Sequence, residues 1–272
     1  MTAMQCDLAI LIPSSLTSES KDQRIKTYKV GQIARAASIF RVDKIIIYKD
    51  QEYDDSKFID LVLRYAETPQ YMRKQLFPLS DELRYVGVIP PLRTPHHPLT
   101  TPKMGEFREG VVIKSGENAW VDIGTKSPVP LRTDKIVRRG ERVTVRIFSR
   151  RPLRVELVSK EQIPLYWGYQ THVSGTLGET LKAQSTVIAT SKRGEVVGVK
   201  MLSQLREAMQ GEVSIAFGSP NRGLNAILED EGLALSNLSD YIINTIPHQG
   251  TATVRTEEAI FATLAMLNTI RR

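Results

Sequence analysis

Ile89-Pro-Pro-Leu-Arg-Thr-Pro-His-His-Pro98 holds four prolines in ten residues. Proline lacks the backbone donor that a helix interior or a central strand needs, and it biases the residue before it away from helix. The stretch is therefore a boundary. Upstream, Asp7–Pro13 reads as a strand with a nearly continuous apolar core, as expected for one buried on both faces. From Lys26 to Phe40 the apolar residues Val30, Ile33, Ala34, Ala37 and Phe40 recur at spacings of three and four, predicting a helix. Val42–Tyr48 is a second buried strand, and helices are expected at Lys57–Ala66 and Asp81–Val86, the latter with Ser80 as its N-cap. Strand, helix and strand in that order imply a parallel sheet.

Downstream the pattern becomes β only. Gly105–Lys114, Ala119–Gly124, Glu141–Ser149 and Leu153–Val158 are short runs separated by Gly and Pro turns. In Arg142–Phe148, Val143, Val145 and Ile147 alternate with Arg142, Thr144 and Arg146, the period of a half-buried strand. Such spacing suits a small OB-like barrel. After Pro164 the α/β pattern returns. A helix near Leu177–Ala183 leads to a strand at Thr186–Thr190, a Lys-Arg-Gly turn and a helix at Val199–Met209. Strands at Val213–Gly218 and Tyr241–Ile246 then precede a helix from Thr256 to Ile270. The expected fold class is α/β with a parallel sheet. Residues 1–90 and 164–272 form one discontinuous domain, and residues 91–163 are the inserted all-β barrel.

The chain carries a net charge of +7. Residues 103–160 hold 14 Lys and Arg against 7 Asp and Glu, a surplus equal to the whole net charge, so the rest of the chain is neutral. A local basic surplus marks a surface for a polyanion, nucleic acid first. The arginines expected to meet RNA are Arg93, Arg132, Arg138, Arg139, Arg142, Arg146, Arg150 and Arg151. The single cysteine, Cys6, excludes an internal disulfide framework and a multi-cysteine metal site. The four histidines lack a close third ligand, so no metal is expected. The apolar runs fall well short of the roughly 20 residues of a membrane span. Asp7 precedes a short apolar run with no basic stretch before it, so no secretory leader and a cytoplasmic location are expected.

Chemistry is expected where loops follow strands in the C-terminal half. Thr190-Ser-Lys-Arg-Gly194, Phe217-Gly-Ser-Pro-Asn-Arg-Gly223 and Ile246-Pro-His-Gln-Gly-Thr-Ala-Thr253 stand at the ends of three consecutive strands. In open parallel sheets ligands bind beyond the carboxyl ends of strands. None of the three matches G-x-G-x-x-G or a P-loop, which argues against a nucleotide-phosphate site, and the missing glycine fingerprint after the first strand argues against a nicotinamide dehydrogenase.

These loops resemble the knot motifs of the SPOUT class of S-adenosylmethionine-dependent RNA methyltransferases. Phe217–Leu224 resembles its F-G-x-E-x-x-G-L loop, and Ile246-Pro-His-Gln-Gly250 with Thr253–Glu257 resembles its I-P-x-x-G…S-L-N-V-S run. Val30–Ala37 resembles the helix that ends in R-T-A. The archaeal and eukaryotic group with an OB-like insertion is the nearest match, and the resemblance covers essentially the whole chain. It implies a deep trefoil knot, a homodimer paired through the knot domain, and S-adenosylmethionine as cofactor. It places Thr190, Gly194, Phe217, Gly218, Gly223, Leu224, Ile246, Pro247, Gly250 and Thr253 around that cofactor. Adenine would lie against Ile246 and Leu224. Arg35 matches the motif-one arginine and is the expected catalytic cation, with Glu257 as the candidate base. Lys29 stands where the ribose-methylating branch has asparagine, and Arg255 and Glu257 replace the Asn and Ser of S-L-N-V-S. These departures leave the acceptor open between ribose 2′-O and a base nitrogen such as uridine N3. The substrate implied is structured RNA, ribosomal ahead of transfer RNA. A non-catalytic RNA- or ribosome-binding factor that keeps the knot fold is the second reading.

Overall fold

A computed structural model describes residues 7–98 and 101–271; Cys6 lies outside them. The chain divides into two compact units, one of residues up to Arg64, Glu82–Pro90 and Tyr169 onward, the other of Tyr65–Asp81 and Pro91–Gly168.

The first unit is built on a six-stranded parallel sheet. Its strands are β1 (Leu8–Pro13), β2 (Lys44–Lys49), β8 (Gln170–Thr176), β9 (Val187–Val196), β10 (Val213–Ala216) and β11 (Tyr241–Asn244). They stand in the order β11-β9-β10-β1-β2-β8. All six residues of β1 are buried, which follows from its central place between β10 and β2 and explains its unbroken apolar run. Helix α1 (Gln23–Ile39) starts at Asp22, whose carboxylate accepts the Arg24 and Ile25 amides, relieving two donors that the first turn leaves unpaired. Its buried face carries Val30, Ile33, Ala34 and Ala37. Cutting fully buried Ile33 to alanine would cost about 2–5 kcal/mol. Helix α2 (Ser56–Glu67) has its residues up to Arg64 in this unit, which also holds α4 (Leu177–Lys182), α5 (Val199–Ala208), α6 (Leu224–Asp230) and α7 (Thr256–Asn268), and α7 packs against α1.

Two local expectations are corrected here, and one strand is added. The stretch Lys192-Arg193-Gly194 is not a turn: β9 runs through it to Val196, because β11 pairs along its outer side past a register shift at Ile242/Ile243. The segment Asp81–Val86 forms no α-helix, only short 3-10 turns at Asp81–Leu83 and Val86–Val88. The added strand is β8, whose mostly polar residues show no apolar face to announce it. It sits at a sheet edge and pairs with β2 alone.

The second unit contains a closed five-stranded barrel: β3 (Phe107–Lys114), β4 (Trp120–Asp122), β5 (Val129–Arg132), β6 (Arg142–Arg150) and β7 (Leu153–Leu157), in the order β3-β4-β5-β7-β6. The pair β5–β7 is parallel and the rest are antiparallel. Alternate residues Val121, Val129, Leu131, Val143, Val145, Ile147 and Val155 fill the interior. Tyr65–Asp81, including helix α3 (Gln70–Leu76), cluster with the barrel. The Tyr71 hydroxyl donates to the Glu109 carbonyl at 2.7 Å, and the Glu67 carboxylate grips Arg142. Among the described residues no helix is long and apolar enough to cross a membrane.

Candidate active site

A cleft of about 240 Å³ opens at the carboxyl end of the parallel sheet. Three segments build it: Thr190–Lys192 of β9, Ser219–Gly223 after β10, and the chain from Ile243 to Val254 at and beyond β11, with Ala259 of α7 closing one side. The strands stop there for a physical reason. After Ala216, Gly218 and Pro220 break the extended pattern, and after Asn244 the Asn244 side chain turns back to accept the Ile246 amide at 3.0 Å. The lining mixes Ile243, Ile246, Val254 and Ala259 with Thr190, Ser219, Asn221, Thr245 and Thr253. A few polar groups set among apolar walls suit a ligand that carries both an aromatic ring and a polar sugar.

Of the ten residues expected around a cofactor, Thr190, Gly223, Ile246 and Thr253 line this cleft. Gly223 and Gly250 have open space where a Cβ would stand, and Pro247 and Gly250 are exposed on the loop after β11. Four others serve the fold. Phe217 and Leu224 are core residues, so Leu224 presents no surface to a ring. Gly194 lies in strand β9, where a Cβ would come within 2.6 Å of the Ile243 carbonyl carbon. Gly218 lets its loop fold back on the Arg222 carbonyl. The Gly218 carbonyl accepts from the Thr256 hydroxyl at 3.1 Å, which joins this loop to the first residue of α7.

Arg222 fixes the middle loop. Its guanidinium donates to Asp50 Oδ1 at 2.7 Å and to Asp230, and its Nε lies 3.1 Å from Glu52. Asp50 is buried at the end of β2 and is itself held by the Ser15 hydroxyl, at 2.5 Å, and by its own amide on Ser14 Oγ. Burial opposes the charge on Arg222, but the hydrogen bonds it donates to Asp230 and Asp50 prevail and raise its pKa. Tyr48, pushed well above its ordinary range by burial, donates to the Phe217 carbonyl at 2.8 Å. Apart from Asp230, these anchors come from β2 and from the residues just after β1 and β2, distant in sequence from the loop they hold, and neither composition nor spacing announces them.

The two expected catalytic residues do not line the cleft. Arg35 is half-buried on α1. Glu257, 8% exposed, stands in the first turn of α7, two residues before Ala259. Among the described residues its Oε2 has no hydrogen-bond partner, and it lies 3.9 Å from Nζ of Lys29. Buried Lys29 in turn binds Glu19 at 2.5 Å. Glu258, by contrast, is exposed and accepts the Arg255 amide at 3.0 Å, a helix cap.

In the barrel unit the predicted arginines separate into two groups. Arg142 is not a surface cation: its guanidinium donates to Glu67 at 2.6 and 2.9 Å and to Glu109 at 2.6 Å. Glu109 also accepts from Thr144 and from the Trp167 indole, and His96 Nε2 lies 3.0 Å from Glu67. Alternation along β6 cannot show that this outward position is covered. Burial pushes the Glu67 carboxyl up, yet the hydrogen bonds from His96 and Arg142 win and hold it at about 2. His97 is lowered to about 4, by burial first and by the neighbouring His96 second. Arg132 and Arg146 share Glu156. Arg93, Arg138, Arg139, Arg150 and Arg151 are exposed.

A family model described as "Putative RNA methyltransferase" matches residues 7–267. An uncharacterized protein of Haloarcula marismortui is 39% identical over 95% of this chain and 98% of its own length. The 28S rRNA (uridine-N(3))-methyltransferase of Mus musculus is 33% identical over 96% of this chain and 75% of its own. Among solved structures, the SpoU methyltransferase AviRb of Streptomyces viridochromogenes, crystallised with AdoMet, is 12% identical, with 97% of this chain and 58% of that one covered at a TM-score of 0.42. Because the family model spans nearly every described residue, from β1 to the last turn of α7, the chain belongs to this family of RNA methyltransferases.

Proposed function

We propose that the protein transfers a methyl group from S-adenosylmethionine to N3 of a uridine in ribosomal RNA. The observation that carries this reading is the cleft at the carboxyl ends of β9, β10 and β11, whose apolar walls and hydroxyl groups suit an adenosine. The ribosomal, uridine-N3 assignment is supported by the mouse relative's activity. Thr190, Gly223, Ile246 and Thr253 would hold the cofactor directly, while Gly194, Phe217, Gly218 and Leu224 shape the loops, and Pro247 and Gly250 flank the entrance. The cofactor supplies an electrophilic methyl group. The acceptor nitrogen carries a proton that must leave as the new bond forms, which calls for a base within reach. Glu257 is our candidate: its Oε2 lies 3.9 Å from the Lys29 ammonium and accepts no hydrogen bond among the described residues, which leaves a lone pair to take that proton. Loss of the proton spreads negative charge onto the uracil carbonyl oxygens, and a guanidinium such as Arg35 is fitted to steady it.

Further parts of the reading follow the family resemblance. The C-terminal segment is proposed to thread a trefoil knot, and residues 91–163 to act as an OB-like RNA-binding insertion through their exposed arginines. Two copies are proposed to pair through the knot domain, supported by exposed Ile25, Tyr28 and Ile39 on α1. A cytoplasmic location is proposed with them. The test is to incubate the purified protein with labelled S-adenosylmethionine and ribosomal RNA from cells lacking it, then to identify the labelled nucleoside after digestion. Label in 3-methyluridine is expected. Label in a 2′-O-methylated nucleoside would overturn the acceptor, and cofactor binding without any incorporation would favour a non-catalytic ribosome-binding factor.

A further inference from the structure

The outer face of the barrel carries aromatic surface that the charge pattern alone does not explain. On β4 and β5, Val121, Val129 and Leu131 point into the core, so Trp120, Pro130 and Arg132 point out. Trp120 is paired across the strands with Pro130 and is 39% exposed, an unusual position for a large ring in a barrel whose interior is already filled by aliphatic residues. Two residues further along β5, Arg132 is registered against Glu156 of β7, and Glu156 against Arg146 of β6. The Arg132 guanidinium lies over the Phe148 ring at 4.4 Å. Glu156 accepts from both arginines, and one carboxylate between two guanidiniums leaves a net positive charge. It also fixes the Arg132 plane, so the cost of ordering that side chain is met before any ligand arrives. At the end of β6, Arg150 and Arg151 are exposed at the turn into β7 and have no ion-pair partner among the described residues. Diagonal neighbours on a sheet face stand about 7–8 Å apart, so the indole and the guanidinium plane form adjacent platforms on one basic surface.

We propose that this face binds an unpaired RNA strand, with one base stacked on Trp120, the next against the Arg132–Phe148 pair, and backbone phosphates held by Arg150 and Arg151. The inference rests on the reading that the protein acts on RNA and specifies the form of RNA. A duplex keeps its base faces stacked inside and offers a protein mainly phosphates and 2′-hydroxyls. An exposed indole gains little from it. A single strand exposes the face of every base, and each base stacked on an aromatic side chain strengthens binding about 5- to 150-fold without regard to sequence.

The test uses the full-length protein without cofactor and a labelled single-stranded RNA of about 12 nucleotides, within the range that one such barrel covers. A duplex of the same sequence is the competitor, and anisotropy is the readout. The single strand is expected to bind at least about tenfold more tightly than the duplex. Trp120→Ala is expected to weaken single-strand binding about tenfold and Trp120→Phe to restore most of it, with the melting temperature and S-adenosylmethionine binding of both variants measured alongside. Arg150→Gln with Arg151→Gln is expected to lower the salt dependence by about two phosphate contacts. Equal affinity for strand and duplex, or a folded Trp120→Ala protein that binds like the wild type, overturns the proposal. Failure of the methyltransferase reading has a different signature: no cofactor binding while the single-strand preference persists.

Discussion

Replacing Arg142 with methionine removes the cation from a buried cluster and leaves two carboxylates, Glu67 and Glu109, without their main partner. The Glu67 carboxyl is held at about 2 against an ordinary 4.5. At about 1.4 kcal/mol per pH unit this difference is worth roughly 3 kcal/mol, shared between Arg142 and His96. Removing one partner of a buried pair costs about 3–5 kcal/mol in general. Arg142 keeps 30% of its side chain exposed, so the expected loss lies at the lower end, about 3 kcal/mol. In a unit of roughly 100 residues that corresponds to a fall of about 15 °C in melting temperature. Both tryptophans of the chain, Trp120 and Trp167, belong to the barrel unit, so tryptophan fluorescence during urea unfolding reports on this unit specifically. The pH dependence follows with a definite sign. Because the folded pKa of Glu67 is depressed, its contribution is complete above about 4.5 and is lost as pH falls toward about 2. His97, held at about 4, acts in the same direction: its neutral form suits the fold, so stability drops as pH falls from about 6.5 toward about 4. The gap between wild type and Arg142→Met should therefore be widest near neutral pH and narrow below about 4.5. An unchanged urea midpoint at pH 7, or a gap that widens in acid, would refute the assignment of Arg142 as the buried counter-ion of Glu67.

Three further outcomes are expected. Arg222→Met releases the loop after β10 from Asp50 and Asp230 and should weaken S-adenosylmethionine binding about tenfold in calorimetry; unchanged affinity would mean the loop holds its shape without the staple. Gly194→Ala places a methyl 2.6 Å from the Ile243 carbonyl carbon and should cost about 1–3 kcal/mol through strain at the β9–β11 pairing, read as a lowered urea midpoint by circular dichroism. Arg35→Ala should cut methyl transfer under saturating cofactor by at least about tenfold while cofactor affinity stays near that of the wild type, and a proportional loss of both would reassign Arg35 to cofactor binding.

Much of the architecture follows from local sequence. The apolar run at Leu8–Pro13, the three-and-four spacing of Val30, Ile33, Ala34 and Ala37, and the alternation from Val143 to Ile147 each identify an element because burial acts directly on those residues. The proline stretch at Ile89–Pro98 separates the two patterns for an equally local reason, the missing backbone donors. The loops after β10 and β11 were legible too, since Gly218 and Pro220, and Pro247 and Gly250, stand just past the last residues of those strands. Other features depend on partners far along the chain. Lys192-Arg193-Gly194 becomes strand only because β11 supplies hydrogen bonds beside it, and β8 exists only because β2 has an open edge.

Function divides along the same line. Residue types and their spacing drew attention to three segments at the carboxyl ends of strands, two of them loops in the structure, and to the basic stretch. Where each of these side chains stands was decided only in three dimensions. Arg142 and Arg146 have the same alternation and the same charge, yet one is enclosed by Glu67 and Glu109 and the other lies on the surface beside Glu156. Leu224 and Ile246 both flank the loops, yet one fills the core and the other faces the cleft. The asymmetry is physical: periodicity and turn chemistry act between neighbours in sequence, whereas burial and ion pairing depend on which distant segments the folded chain brings against a side chain.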